Sequence, residues 1–456
     1  MTKLPMSFRT KFTELLGQAD AEQLFTAIDN ETKKAFRLNP LKPNFEQVSL
    51  PLTEPLKLID DAYVGQINGR SVEQLAGYVY SQDPAAMYVA QVAAVQPGEY
   101  VLDLCAAPGG KTTQLASGMR QEGILVANEI NQGRAKILLE NVERSGIKNA
   151  VVLNESPQRL SPVFANFFDK IVVDAPCSGE GMFRKDPGAV EYWSPDYVLT
   201  CQARQKEIVT EAYKMLKPGG RLIYSTCTFS PEEDEQIVEF LLEEFSDLEL
   251  VPIELHEEFD PGRPEWGTSG LEALKYTARF WPQKGFGEGQ YVAVLQKKAA
   301  ENESGKTVAL TDFKRSKVDW SKTPVPEFLQ ALNQPKSIFS FDKLELSNEH
   351  VFLPILNPAA LKGIRVLRNG LELGEIKKKR FVPHHHFAQA LDVDITPAVE
   401  LTSEVEFEKF AHGEALPVTT DVRGYCLVAY QGKAFSWGKI GQDKILKNFY
   451  PKGLRL

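Results

Sequence analysis

The chain has 456 residues, 43% of them hydrophobic and 25% charged, which excludes a disordered, fibrous or collagen-like protein. No apolar run approaches the roughly 20 residues of a membrane span, and the start, MTKLPMSFRTKF, lacks the apolar block of a secretory signal. The five cysteines, at 105, 177, 201, 227 and 426, form no C-x-x-C pair, so free thiols, no metal site and a cytoplasmic location are expected. The net charge of −9 hides an asymmetry. Residues 231–260 hold thirteen Asp and Glu and no Lys or Arg, and without those thirteen charges −9 becomes +4. A solvated acidic face is the expectation for that run. From Lys362 to His386, seven Lys and Arg stand against Glu372 and Glu375, a patch able to attract a polyanion.

In chain order, LPMSFRTKFTELLG and AEQLFTAI have helical apolar spacing, and residues 1–95 read as an α-rich domain. From Gly98 the texture alternates. VLDL (101–104) predicts a strand, and Lys111–Ser117 a helix behind a Gly-Gly turn. GILVANE (123–129) predicts the next strand, and RAKILLENVERSG a helix closed by Gly146. AVVL (150–153), KIVVDA (170–175), RLIYSTC (221–227) and QYVAVLQK (290–297) are further strands, with helices over 208–216 and EEDEQIVEFLLEEF. This alternation over 96–298 predicts an α/β, Rossmann-like doubly wound sheet that binds ligands beyond its C-terminal strand ends. Cys105, Glu129, Asp174 and Cys227 fall at four such ends. AAENESGKT marks a linker, taken as 299–312. Residues 313–456 read as a smaller α+β region, with short strands such as GIRVL, GLELGEI and RGYCLVAY.

DLCAAPGGKT (103–112) joins a strand to a helix, and Gly109 and Gly110 let backbone approach a ligand closely. It is neither G-x-G-x-x-G nor G-x-x-x-x-G-K-[ST], which weakens dinucleotide and phosphate-loop readings. Glu129, ending the next strand, can accept hydrogen bonds from both hydroxyls of a ribose. An adenosine-containing cofactor is favoured, with a plain structural turn as the alternative.

DAPCSGEGMFRKDP (174–187) sets an acid and a thiol at one strand end, and YSTCTFSPEE (224–233) sets a second thiol at the next. A thiolate adding to C6 of cytosine would make C5 nucleophilic enough to take a methyl group from a sulfonium. A carboxyl group beside N3 and the exocyclic amine would hold the ring, and a base must then remove the C5 proton. One acid and two cysteines supply these parts. Cys105, Cys201 and Cys426 carry no such setting and read as buried core thiols.

These strings resemble the signature motifs of the Nop2/Sun family, RNA (cytosine-C5)-methyltransferases that use S-adenosylmethionine. The resemblance covers about residues 1–300, with SQDPAAMYVA and WPQKGFGEGQYVAVL also matching. The C-terminal third resembles the PUA-like RNA-binding tail of RsmF-type 16S rRNA enzymes. The resemblance implies Cys227 as the nucleophile, Cys177 as the cysteine that releases product, and Asp174 as the acid beside base and cofactor. It implies a cofactor-binding set of Ala106, Ala107, Pro108, Gly109, Gly110, Lys111, Thr112, Glu129 and Arg134, with Lys111 and Asp174 shared with catalysis. Arg37 and Asn39 would support the core. Relatives carry an Asp near the adenine where this chain reads Asn154-Glu155-Ser156.

Arg184, Lys185 and Lys206 beside the site, and Lys377, Lys378, Lys379 and Arg380 in the tail, are the expected RNA-facing cations. Tyr192 and Trp193 are candidates to stack on a splayed base. His384-His385-His386 reads as a basic RNA-facing loop rather than a metal site. The implied partner is ribosomal RNA, alone or within the small subunit, with a monomer as the default. The alternatives are a tRNA methyltransferase and a non-catalytic ribosome-assembly factor.

Overall fold

The computed structural model describes residues 4–299, 310–312, 317–332 and 341–456. Helices α1 (Met6–Leu16) and α2 (Gln18–Asp29) open the chain. Their buried Phe8, Phe12, Leu24 and Phe25 pack with Phe183, Trp193 and Phe229 of the central domain. The N-terminal part is not only helical. Strands β1 (Ala35–Leu38) and β2 (Ala62–Val64), helix α3 (Val72–Leu75) and strand β3 (Val79–Ser81) follow, the strands in the order β2-β1-β3. All four residues of β1 are buried, so AFRL shows none of the alternation that marks a half-exposed strand. Helix α4 (Pro84–Ala93) starts behind Asp83, whose side chain accepts from the amides of Ala85 and Ala86.

The central domain runs β4 (Tyr100–Asp103), α5 (Gly110–Met119), β5 (Ile124–Asn128), α6 (Gln132–Arg144), β6 (Ala150–Leu153), α7 (Pro157–Leu160) and β7 (Phe168–Asp174). It continues with α8 (Pro187–Tyr192), α9 (Pro195–Met215), β8 (Leu216–Thr226), α10 (Glu235–Glu244), β9 (Leu248–Leu250), β10 (Asp260–Pro261), β11 (Ala278–Phe280) and β12 (Gln290–Lys297). Strands β8-β7-β4-β5-β6 are parallel neighbours, and β12 joins antiparallel to β8. The order reverses at β4, which lies between β5 and β7, and doubly wound sheets bind ligands at such a switch point, beyond the strands' C-terminal ends. Apolar clusters cover both sheet faces, as a parallel sheet requires.

The acidic run at 231–260 departs from the expectation of a solvated face. Glu233, Asp234, Glu235 and Glu239 are buried. Arg279 on β11 meets two of them, its Nη2 3.0 Å from Asp234 and its Nε 2.6 Å from Glu235.

The expected linker falls largely outside the described residues. Beyond it lie α11 (Val325–Ala331), β13 (Glu345–Ser347), β14 (His350–Leu353), β15 (Val366–Asn369), β16 (Leu371–Lys377), β17 (Arg380–Pro383) and α12 (His385–Gln389). The end of the chain adds β18 (Ala398–Leu401), α13 (Glu404–Ala411), β19 (Leu416–Pro417), β20 (Gly424–Tyr430), β21 (Lys433–Ile440) and β22 (Ile445–Asn448). They form a four-stranded sheet, β13-β14-β16-β17, and a five-stranded sheet, β18-β20-β21-β22-β19. Strand β15 joins neither. It pairs antiparallel with β6 and extends the central sheet. Gly370 makes the return possible: its φ is +74°, and a Cβ there would lie 2.1 Å from the Leu353 carbonyl oxygen. Among the described residues no helix is long and apolar enough to cross a membrane.

Candidate active site

Strands β7 and β8 end side by side, Asp174 opposite Ser225. The loops that follow carry the thiols, and Cys177 Sγ lies 3.2 Å from Cys227 Sγ, both sulfurs free and partly accessible. The Cys227 loop is seated on Gly181, whose amide donates to the Cys227 carbonyl at 2.9 Å. A Cβ at Gly181 would come within 2.6 Å of the Gly289 oxygen, so only glycine fits beneath the thiol. The hydrogen bond with Cys227, reinforced by burial, pushes the Cys177 thiol well up. Cys177 therefore gives up its proton less readily than an isolated thiol, and either sulfur can be the donor across the 3.2 Å contact.

Asp174 has both oxygens engaged. Lys111 Nζ donates to Oδ2 at 2.8 Å, while Ser225 Oγ at 2.8 Å and Gln290 Nε2 at 3.3 Å donate to Oδ1. Burial alone would lower the Lys111 ammonium, but Asp174, with Cys227 contributing, outweighs it and holds the ammonium above its ordinary value. The pair is ionic, and Asp174 keeps an exposed edge, with 31% of its side chain accessible. Ser225 and Gln290 were not singled out from sequence. Both lie within the quoted strings, one on β8 and one starting β12.

The 103–112 loop has three supports. Arg134 Nη2 donates to the Ala107 carbonyl at 2.6 Å, Asn141 Nδ2 to Pro108 at 2.7 Å, and Arg37 Nη2 to Gly110 at 2.8 Å. Arg37 is buried, which lowers its guanidinium to about 10. Asn39 bonds the Gly77 and Ser145 carbonyls, so the FRLN segment braces the core as expected. Helix α5 begins behind Gly109 with no side-chain cap. Its first amides face the loop without the partner a capping residue would supply. Thr112 turns inward, fully buried, and donates to Asp103 Oδ2 at 2.6 Å.

Asp103 itself was not expected in the site. Its Oδ1 is buried without a hydrogen-bond partner among the described residues, and burial lifts its carboxyl to about 7. An orphaned carboxylate oxygen at a strand end invites an amine donor. Glu129 is buried at the end of β5, its Oε1 accepting from the Asn131 amide at 2.8 Å. S-adenosylmethionine presents an ammonium, a carboxylate and a ribose diol. Asp103, the uncapped start of α5 and Glu129 match them in that order, so the residues present fit this cofactor.

Of Asn154, Glu155 and Ser156, two are spent inside the protein. Asn154 Nδ2 donates to the Glu129 and Ile130 carbonyls at 2.7 and 2.9 Å. Glu155 accepts from the Arg365 amide at 2.9 Å and pairs with Arg159 at 3.0 Å. Ser156 makes no side-chain cap to α7.

Four comparisons with family models span the chain. Residues 4–84 match the N-terminal domain of 16S rRNA methyltransferase RsmF, and 90–296 match 16S rRNA methyltransferase RsmB/F. Residues 327–391 match the RsmF rRNA methyltransferase first C-terminal domain, and 396–456 the methyltransferase RsmF PUA domain. Ribosomal RNA small subunit methyltransferase F of Vibrio vulnificus strain YJ016 is 32% identical over 469 residues, covering 99% of this chain and 97% of that protein. The chain belongs to the RsmF family of 16S rRNA methyltransferases. The Escherichia coli O139:H28 protein of the same name is 30% identical, over 99% of this chain and 96% of its own. A methyltransferase homolog protein from Pyrococcus horikoshii shares the fold at a TM-score of 0.57 and 28% identity, covering 64% of this chain and 94% of its own. As an RsmF family member the protein is an RNA methyltransferase with S-adenosylmethionine as cofactor.

The expected RNA contacts divide. Arg184 is not an open cation: its Nε donates to Glu288 at 2.7 Å and its Nη1 to the Ala27 carbonyl at 3.2 Å, because the 282–288 loop folds back over it. Lys185, 3.4 Å from Glu288, and Lys206, 5.1 Å from the Phe240 ring centre, keep partial exposure. Lys377, Lys378, Lys379 and Arg380 form the exposed turn between β16 and β17. Tyr192 is 78% exposed, whereas Trp193 is buried and donates Nε1 to Glu180 at 2.8 Å. The histidine run is not an RNA-facing loop. His384 caps α12, and His386 is fully buried with Nε2 3.0 Å from the Ile147 carbonyl. Burial holds His384 down at about 3, His385 at about 4, and His386 well below its ordinary value.

Proposed function

We propose that this RsmF family member methylates C5 of a cytosine in 16S rRNA, through a covalent bond from Cys227 to C6 that is resolved with Cys177. The thiol pair beside an ion-paired carboxylate carries the reading. When bound, S-adenosylmethionine supplies an electrophilic methyl group. Cys227, its proton lost to solvent, adds to C6 as the thiolate, and the C5=C6 electrons make C5 the nucleophile. Asp174 accepts from the exocyclic amine, while Lys111 balances the negative charge that builds on the ring.

Once Cys227 is bonded to carbon, Cys177, 3.2 Å from its sulfur, is the thiol left to act as base. Cys177 then releases its proton to water and, as thiolate, takes the proton from C5. The C5=C6 bond re-forms and expels Cys227 as thiolate. Asp103, the start of α5, Glu129, Arg134 and Ser156 hold the cofactor. Lys185, Lys206 and the 377–380 turn meet RNA phosphates, and Tyr192 stacks on a base near the extruded target. A cytoplasmic monomer acting on the RNA or the small subunit completes the proposal.

The test is methyl transfer from labelled S-adenosylmethionine to naked 16S rRNA, small subunits and tRNA, with bisulfite mapping. One labelled cytosine in 16S rRNA is the expected product. Label confined to tRNA would discard the substrate assignment, and label on a base nitrogen or a ribose would discard the chemistry.

A further inference from the structure

Two buried carboxyl groups behind the thiols remain without a role. Glu180 and Glu233 are both fully buried, one on each thiol-bearing loop. Each reaches across to the other loop. Glu180 Oε2 accepts from the amide of Phe229, two residues past Cys227, at 2.8 Å. Glu233 Oε2 accepts from the amide of Ser178, next to Cys177, at 2.9 Å. Gln205 on α9 completes the clamp, its Nε2 donating to Glu233 Oε2 at 2.8 Å and to the Pro176 carbonyl at 3.1 Å.

We propose that Glu180 and Glu233 are positioning residues that fix the two thiols against each other, Glu180 as a carboxylate and Glu233 as a neutral carboxyl. The inference rests on the two-thiol reading above. Donor counting assigns the forms. Glu180 receives four donors: Trp193 Nε1 at 2.8 Å and Ser230 Oγ at 2.5 Å on Oε1, Thr228 Oγ1 at 2.7 Å and the Phe229 amide on Oε2. Four acceptor positions are what an ionised carboxylate offers and a protonated one lacks. Thr228 has a single hydroxyl proton, which Glu180 takes. The Thr228 oxygen, 2.8 Å from Ser178 Oγ, lies 3.5 Å from Glu233 Oε1. With that proton spent, Glu233 Oε1 has no donor among the described residues and is satisfied only by carrying its own.

The electrostatics agree. Burial, then the charge on Glu180, lifts Glu233 to about 7. The other groups facing it are Cys177, Cys201 of α9, Tyr224 of β8 and the adjoining Asp234, none of them cationic. None of the nearby cations among the described residues meets Glu233: Lys11 Nζ, 2.8 Å from both Glu232 and Ser230 Oγ, lies on the Glu180 side, Arg279 pairs with Asp234 and Glu235, and Arg204 of α9 acts on Cys201. Above neutral pH, ionised Glu233 sets a second negative charge beside Glu180 and disfavours the Cys177 thiolate.

The experiment uses the full chain and has two arms. In the first, Cys177 alkylation by iodoacetamide is followed without RNA by site-resolved mass spectrometry from pH 6 to 8.5. Glu233→Gln, which mimics the neutral carboxyl, is expected to react about three- to tenfold faster at Cys177 than the unsubstituted protein at pH 8.5, and the two rates to converge at pH 6. Equal rates across the range would overturn the proposal whether or not any RNA is methylated. In the second arm, the rate of methyl transfer by Glu233→Gln relative to the unsubstituted protein is expected to rise about fivefold from pH 6 to 8.5. Glu180→Gln, which turns an amide toward donors, is expected to lose about a hundredfold at every pH. A flat ratio for Glu233→Gln, or Glu180→Gln behaving as Glu233→Gln does, would contradict the assignment. Absence of methyl transfer by the unsubstituted protein on every RNA would count against the proposed function instead.

Discussion

The Cys177–Cys227 pair and the His384–His386 run look alike as sequence signals, each a cluster of reactive side chains near a strand end. The fold treats them in opposite ways. The thiols stay partly accessible, 3.2 Å apart, with Lys111 and an ion-paired Asp174 beside them. Of the histidines, His386 is drawn fully inside to meet a backbone carbonyl, while half-buried His384 caps α12 and half-buried His385 lies beside it, and desolvation lowers all three. Reactivity follows from what surrounds a group, and a short motif shows its neighbours only when they lie on the same loop or the next strand end.

Substitutions on the two sides should therefore differ in kind. Asp174→Asn, which unpairs Lys111, is expected to reduce methyl transfer by about 10²–10⁴-fold in a single-turnover assay, with little change in melting temperature. A loss under tenfold would bring the thiol site closer to the histidine run than the geometry allows. Glu129→Ala is expected to raise the KM for S-adenosylmethionine by about 10- to 100-fold, the scale of a lost charged hydrogen bond, measured by cofactor titration.

His386→Ala should do the reverse. It is expected to destabilise the protein by about 2–3 kcal/mol through a cavity and an unpaired Ile147 carbonyl, leaving kcat within about threefold. Its pH signature has a definite sign. His386 is held neutral in the folded state and titrates near 6.5 in the unfolded chain, so the unfolded state takes up the proton first as pH falls. Its contribution is fully present above about pH 6.5 and is lost below it, by at most about 1.4 kcal/mol per pH unit. Denaturant melts from pH 7.5 to 5 should steepen in that window for the unsubstituted protein and flatten for His386→Gln.

The smallest effect is expected at the exposed turn. Lys378→Ala and Lys379→Ala together should weaken RNA binding a few-fold and lower the slope of log Kd against log salt by about 1–2, with kcat unchanged.

Legibility in the sequence followed the same division. Strands β4 to β8 are largely buried and read as short apolar runs, so their ends, at Cys105, Glu129, Asp174 and Cys227, could be located from the sequence pattern, while the roles of Cys177 and Cys227 came from the family resemblance. Features that depend on distant partners could not. Strand β15 carries an ordinary strand pattern that says nothing of its pairing with β6 more than two hundred residues earlier. Arg184 looked like a phosphate contact because Glu288, which neutralises it, lies 104 residues away. The buried acids at 233–239 resembled a charged surface because Arg279 and the Glu180 clamp appear only when the loops meet. Asp103 was hidden inside the apolar run VLDL; in the fold it closes β4, and its unpaired oxygen is what singles it out.

The division of labour between the thiols is tested most directly by trapping the enzyme–RNA adduct. Cys227→Ala and Cys177→Ala would each be incubated with S-adenosylmethionine and labelled 16S rRNA, then resolved on a denaturing gel. The account predicts no covalent complex and no turnover for Cys227→Ala, and an accumulating covalent complex for Cys177→Ala. A complex formed by Cys227→Ala and absent from Cys177→Ala would contradict it.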